Sequence, residues 1–411
     1  MVEQSLSARA LRELPARTII EAIADTARAW ADQRFVPRQE CAAAIESRTG
    51  YSAPVVQFAL DQLFTRITSD ALTATIRSEL GTLDALDGFV ERAGRPDALA
   101  ASVGDVCIIA SRTTIGVALL PAIYALCAKC TVTVKDREDR LIAEFFRTLQ
   151  EREAAFAQAT HAEIFSWADE STMSLAAFDC VVAFGRDETL RSIRNACAPN
   201  ALFIGFGSRA SAGYISRTAL DDEATLRRLL AGAARDVVLY ETEGCMSLHL
   251  LFVEGAHDGE LIGERFAEAL GNAARSFPRG ARDHRAAARF ATARDAAAFR
   301  ASFGSGRLVA ADDFAILLDP PADEPPPFAP RCIPVIPVQT PHEALQYLRK
   351  HQIALEAFAI SEPREDIEAM AVAAGAVRLS RFGALQQPPV CGNHGGRGRI
   401  VDFIRWVDRE R

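Results

Sequence analysis

From Val103 onward the chain alternates short apolar runs with amphipathic segments, and this restricts the fold more than anything else in the sequence. Val103 to Ala110, Thr131 to Lys135, Ile164 to Trp167, Phe178 to Phe184 and Ala201 to Phe206 read as strands. Thr114 to Cys127, Leu141 to Glu153 and Glu188 to Ala196 read as the helices between them. Strands apolar along their whole length are buried on both faces, and strands separated by helices pair in parallel. The implied architecture is a doubly wound parallel sheet, whose ligands bind beyond the carboxyl ends of the strands.

A second series comes after it: strand Leu248 to Val253, helix Glu260 to Arg275, a strand-like stretch Arg307 to Leu318, strand Cys332 to Val338, helix His342 to His351, strand Leu355 to Ile360 and helix Arg364 to Ala374. The proline-rich Pro320 to Pro330 reads as a surface loop. Ahead of both series, Leu11 to Val90 is helical, with Ile19, Ile20, Ile23, Ala27 and Trp30 at three- and four-residue spacings. About four helices fit there. The fold class expected is therefore α/β, with two doubly wound domains and a helical N-terminal part. The expected division is 1–238 as a nucleotide-binding domain, with the tail 380–411 returning to it, and 239–379 as the second domain.

Bulk properties exclude several functions. A net charge of −8 and the absence of a basic block argue against nucleic-acid binding. The longest apolar run, Thr114 to Ala128, is too short for a membrane span and contains Pro121. Nine cysteines in 411 residues are too sparse and odd in number for a disulfide framework, so a reducing cytoplasm is the expected setting. Cys127 and Cys130 have no second pair at zinc-binding spacing and read as core packing. The seven histidines show no metal-ligand spacing, and no G-x-S-x-G motif marks a hydrolase.

The residue most suited to chemistry is Cys245. It comes directly after Gly244 at the mouth of the Leu248 to Val253 strand, where a glycine-assisted turn can present a sulfur at the sheet edge. For a dinucleotide, Phe184, Gly185 and Arg186 lie between a strand and a helix whose amide nitrogens could hold a pyrophosphate. Gly205, Gly207 and Ala210 also fit the G-x-G-x-x-G/A fingerprint, but the stretch after them reads as a poor helix broken by Gly213. Lys135 ends a strand, where an ammonium can reach ribose hydroxyls or phosphate.

The order of these features resembles the aldehyde dehydrogenase superfamily, and within it the LuxC-type acyl-CoA reductases. The likeness is carried by Gly104-Asp105-Val106-Cys107, the strand ending at Lys135, Val181 to Thr189, Cys245, Arg331 to Pro337, and a tail reading Asn393-His394-Gly395-Gly396-Arg397 before Ile400 to Asp408. Ser78 to Gly81 and Leu86 to Phe89 add to it. The resemblance implies an enzyme that reduces an acyl thioester, carried on coenzyme A or an acyl carrier protein, to an aldehyde. It implies Cys245 as the nucleophile, Lys135 and Glu138 at the adenosine ribose, and Gly185 and Arg186 at the pyrophosphate. NADPH is the cofactor it implies, with NADH as the other candidate. A homo-oligomer or an acyl-transfer partner enzyme is also in keeping with it.

Aldehyde-oxidising relatives need a carboxylate base on the strand before the cysteine, and Ala201 to Gly207 carries none. That absence suits reduction, in which hydride rather than water must reach the acyl carbon. Asp105 is taken to stand where the family offers an asparagine amide to the thioester oxyanion. Two alternatives stay open: a degenerate scaffold that binds nucleotide or a partner, for which an aspartate at 105 is the argument, or an aldehyde-oxidising dehydrogenase, which needs Glu241 or Glu243 to point into the site as the base.

Overall fold

The computed structural model describes residues 9–111, 114–136, 140–164, 174–255, 259–281 and 283–410. The chain divides into two compact units: Met1–Thr49, Val56–Gly207 and Pro389–Arg411 form the first, Gly50–Val55 and Ser208–Pro388 the second.

The first unit carries the helices expected at the N-terminus, including Ala16–Ala31, Val36–Thr49 and Ser69–Leu80. Ala16–Ala31 buries the stripe read from its periodicity, with Ile19, Ile23, Ala27 and Trp30 wholly enclosed. The Trp30 indole donates to Thr148 Oγ1 at 3.2 Å, so its one polar atom is satisfied inside the core. Strands β1 (Val90–Arg92) and β2 (Arg95–Ser102) form an antiparallel hairpin, and the C-terminal strand Ile404–Arg409 pairs with β2 from Ile404↔Ser102 to Arg409↔Asp97. The tail thus returns to this unit.

The rest of the unit is a parallel sheet of β3 (Asp105–Ile109), β4 (Thr131–Asp136), β5 (Thr160–Ile164), β6 (Cys180–Phe184) and β7 (Leu202–Phe206), in the order β5-β4-β3-β6-β7. All five residues of β6 are buried, as a strand covered on both faces requires. Strand order reverses between β3 and β6, so the crevice beyond their carboxyl ends is the expected ligand position. β5 lies ahead of the strand expected at Ile164 to Trp167 and shares only Ile164 with it; residues 165–173 lie outside the described residues.

The second unit is a seven-stranded sheet. Its strands are β8 (Ala210–Ile215), β9 (Leu248–Glu254), β10 (Arg307–Ala310), β11 (Ala315–Leu318), β12 (Cys332–Val338), β13 (Leu355–Ile360) and β14 (Arg378–Arg381). They lie in the order β10-β11-β12-β9-β8-β13-β14, all parallel except β10, which turns back along β11. Leu229, Leu230 and Val237 of helix Glu223–Val238 join Phe266 of Gly259–Ser276 over Leu251, Val253 and Ile333. Tyr347 and Leu348 of Pro341–Lys350 join Met370 of Glu365–Ala373 over Tyr214, Phe252 and Phe358.

Three expectations are corrected here. Ala210–Ile215 is a central strand, not a poor helix: it is paired on both sides, by β9 and β13. Gly213 serves close packing, since a Cβ there would lie 2.5 Å from the Phe382 ring. Because β8 and helix Glu223–Val238 build the second sheet, the division falls after Gly207 rather than after 238, and the tail returns from Pro389 rather than 380. Arg307 to Leu318 is a hairpin of two strands rather than one.

Gly232 lies within helix Glu223–Val238, where alanine would ordinarily gain about 1 kcal/mol from helix propensity. Its Cβ would stand 2.7 and 2.8 Å from the Phe382 carbonyl carbon and oxygen, and backbone cannot swing aside as a side-chain tip can. Overpacking of this kind costs about 1–3 kcal/mol. Gly232→Ala is therefore expected to lower the melting temperature; an unchanged or raised value would show that the propensity gain wins.

Candidate active site

Helix Glu223–Val238 delivers the chain into a turn that almost no ordinary sequence adopts. Tyr240, Glu241 and Thr242 have φ of 55°, 53° and 59°, three consecutive non-glycine residues in the left-handed region. Each costs about 1–2 kcal/mol, so the surroundings must impose the conformation. Glu241 Oε1 accepts from Arg331 Nη2 at 2.7 Å, and the same Nη2 donates to the Phe277 carbonyl at 2.8 Å. The Arg331 backbone N–H donates to Thr242 Oγ1 at 3.1 Å, and Thr242 Oγ1 donates to the Val237 carbonyl at 2.8 Å. Arg331 is itself left-handed (φ 48°) and fully buried.

Three residues beyond this turn stands Cys245, just ahead of β9, at the amino edge of the seven-stranded sheet. Its carbonyl accepts from Ser211 Oγ at 2.8 Å, and Ser211 Oγ accepts from Ala357 N–H at 3.1 Å. One hydroxyl therefore ties the cysteine to the starts of β8 and β13. Two residues on, Ser247 Oγ accepts from the Gln386 amide at 2.7 Å. Of the nine cysteines, six are buried, Cys391 is exposed, and Cys197 and Cys245 keep partial access.

Burial pushes the Cys245 thiol up to about 12, and the neighbouring Glu356 carboxylate adds to the rise; Arg209 and Arg378 oppose it. Glu356 is buried on β13 and lies 3.8 Å from Arg209 Nε. The thiol is thus protonated in the free protein, with a carboxylate and two guanidinium groups around it. Arg209, Glu356 and Arg378 are far apart in sequence and carry no local motif; they meet because β8, β13 and β14 are neighbours.

Glu241 and Glu243 are both committed elsewhere, to Arg331 and Arg289 respectively. His249 is only a weak base. Burial lowers it to about 4, and its Nδ1 accepts from the Ser211 N–H at 3.3 Å. Asp236 is raised to about 7 by burial, against the pull of N–H bonds from Gly383 (2.6 Å) and Leu385 (3.2 Å) that fix the loop carrying Gln386.

In the first unit, Lys135 stands at the carboxyl end of β4, opposite Ile109 of β3. Gly185 and Arg186 come after β6 at the same edge, with Arg186 at the N-cap of helix Asp187–Ala196. A Cβ at Gly185 would meet only Thr189, at 3.7 Å, so packing does not demand a glycine there. A buried ammonium and an open backbone turn at one strand edge fit the phosphate and ribose oxygens of a dinucleotide. Asp187 and Glu188 in the first turn of that helix work against a pyrophosphate seated on its axis. Glu138 lies outside the described residues.

Asp105 is not brought together with these groups. It opens β3 at the amino edge, paired with Thr131, whereas Lys135 and Gly185 lie at the carboxyl edge. Its carboxylate accepts from Thr131 Oγ1, and its N–H donates to Asp179 Oδ2 at 2.9 Å. This is a structural position, and the oxyanion role expected of Asp105 is withdrawn. A residue serving the carboxyl edge from this strand must come from the loop leaving it at Ala110. His394 stacks on Phe206 and Phe184, with ring centroids 4.3 and 5.6 Å away, and burial together with Arg399 lowers it to about 3. Cys127 and Cys130 are buried, as packing predicts. Among the described residues no group of three or more His, Cys, Asp or Glu could hold a metal ion, and no helix is long and apolar enough to cross a membrane.

This is the fold of the aldehyde dehydrogenase type of oxidoreductase. The structure is similar to an oxidoreductase from Marinobacter aquaeolei (TM-score 0.73, 13% identity, 96% of this chain and 85% of that one). It is similar also to lactaldehyde dehydrogenase from Escherichia coli (TM-score 0.69, 13% identity, 98% and 88%) and to an NADP-dependent enzyme from Escherichia coli (TM-score 0.69, 14% identity, 98% and 89%). No curated protein sequence matches. The chain belongs to the acyl-CoA reductase (LuxC) family, whose model matches residues 11–406.

Proposed function

We propose that this protein reduces an acyl thioester, borne by coenzyme A or an acyl carrier protein, to an aldehyde, with Cys245 as the nucleophile. The observation that carries the reading is a partly accessible cysteine on a strained, multiply anchored loop, in a chain of the acyl-CoA reductase family. The Cys245 sulfur attacks the thioester carbonyl, forming a new C–S bond as the carrier's C–S bond breaks. The proton given up by Cys245 leaves with the carrier thiol. A bound NADPH or NADH supplies hydride to the acyl carbon. The C–S bond to Cys245 then breaks with its electron pair left on sulfur, the thiolate takes a proton from solvent, and the aldehyde is released. Lys135, Gly185 and Arg186 are the groups proposed to hold the nucleotide, together with Glu138.

The thiol must lose its proton as the bond forms, because so little thiolate exists beforehand. Arg209 and Arg378 are the charges that oppose the rise and favour the anion as the bond forms. One specific observation supports a second reading. Glu356 is a carboxylate beside Cys245, and a base there could activate water for aldehyde oxidation. The scaffold alternative loses its main support now that Asp105 has a structural explanation.

The deciding experiment supplies acyl-CoAs of several lengths with NADPH or NADH, and separately aldehydes with NADP or NAD, and tracks absorbance at the nicotinamide band. Thioester-dependent consumption of the reduced cofactor with aldehyde as product is expected. Turnover only in the aldehyde-oxidising direction, without coenzyme A, would overturn the proposal in favour of the second reading.

A further inference from the structure

We propose that Arg331 is a positioning residue for the Cys245 thiol: through Glu241 and Thr242 it locks the left-handed turn that aims the nucleophile loop. This rests on Cys245 being the reacting group. Three observations converge. The turn at Tyr240, Glu241 and Thr242 is conformationally unfavourable at every position, so an external restraint must hold it. Arg331 supplies that restraint twice, by its side chain to Glu241 (2.7 Å) and by its own N–H to Thr242 Oγ1 (3.1 Å). It does so from a fixed base, since its carbonyl accepts from the Ala315 N–H at 3.0 Å where β11 meets the start of β12.

The cost of the arrangement points the same way. Arg331 is wholly buried with its Nε and Nη1 making no hydrogen bond among the described residues, a poor choice if stability alone were at stake. An apolar side chain of similar volume would satisfy packing. What an apolar side chain cannot do is grip a carboxylate in a residue with positive φ.

A merely structural pair and a positioning pair differ in what they move. If the lock aims the thiol, releasing it lets Cys245 drift from the enclosure that keeps it protonated. Its reactivity toward a small alkylating agent then rises while its turnover falls. A misplacement of about 1 Å lowers turnover roughly a hundredfold.

The test uses the full chain with both charges removed at similar bulk, Arg331→Met with Glu241→Met, beside Arg331→Lys and Glu241→Gln. Three quantities are read: the melting temperature, kcat and KM for the acyl thioester, and the rate of iodoacetamide addition at Cys245 by peptide mass spectrometry. The expected result is a folded double variant with kcat lowered roughly a hundredfold. KM should stay within about threefold, and alkylation at pH 8 should be about tenfold faster as the thiol returns toward ordinary values. Arg331→Lys, which keeps the charge but not the fork, should recover part of kcat. A folded double variant with wild-type kcat and alkylation would overturn the proposal. If the double variant does not fold, Glu241→Gln decides by the same two readings. Alkylation needs no acyl substrate, so the reductase reading can fail, with no thioester reduced by the wild type, while this inference is still judged on its own.

Discussion

Cys245→Ala is expected to reduce acyl thioesters at a rate lower than wild type by a factor on the order of 10⁵ or more, the loss typical of removing a nucleophile that forms a covalent intermediate. Folding should be spared. Cys245 is only half-buried, and the bonds that place it run through its backbone carbonyl to Ser211, which alanine keeps. Cys391, the exposed cysteine, supplies the control: Cys391→Ala should leave turnover untouched. Steady-state assays with thermal melts check both. Residual reduction above about 1% of wild type in a folded Cys245→Ala protein would move the chemistry to another residue.

The second large effect is in pH. With Cys245 pushed up to about 12 by burial and Glu356, its thiolate is scarce throughout the physiological range. Alkylation at pH 8 should be roughly a hundredfold slower than at an ordinary cysteine. It should climb about tenfold per pH unit from 7 to 10 without a plateau. Cys391 provides the internal comparison. The buried Cys107, Cys127 and Cys332 are likewise pushed up to about 12, and Cys130 to about 11. Their folded forms hold the proton more tightly than the unfolded chain does. The stability they contribute is complete below about pH 9 and is lost as pH rises through their folded values. A denaturation midpoint that falls between pH 8 and pH 10 is the expected sign. A plateau in Cys245 alkylation below pH 9 would show instead that Arg209 and Arg378 outweigh Glu356 and burial.

The parts legible in the sequence are those whose physics is local. β6 sits under cover on both faces and so reads as an unbroken apolar run, and Ala16–Ala31 shows its buried stripe at helical spacing. Ala210–Ile215 is illegible because it is made of small residues with a central glycine; two neighbouring strands and the Phe382 ring define it, not its own propensity. Asp105 is misplaced for a related reason. A strand can be found from its pattern, but the pattern does not tell which of its residues will stand at the edge that receives a ligand. At the candidate site, Gly244 and Cys245 are visible as a motif, while Arg209, Glu356 and Arg378 are not. Their role exists only once the strand order brings the starts of β8, β13 and β14 side by side. Arg331 belongs to a stretch that carries the family resemblance, yet its pairing with Glu241 cannot be read from a sequence in which the two lie so far apart.

Intact-protein mass spectrometry tests the central claim most directly. The protein is incubated without nicotinamide cofactor against acyl-CoAs of increasing length and then against acyl carrier protein thioesters, beside Cys245→Ala. The account predicts a mass gain of one acyl group on the wild type, none on the variant, and loss of the adduct with release of aldehyde when NADPH or NADH is added. No adduct with any thioester, or an equal adduct on Cys245→Ala, would contradict it.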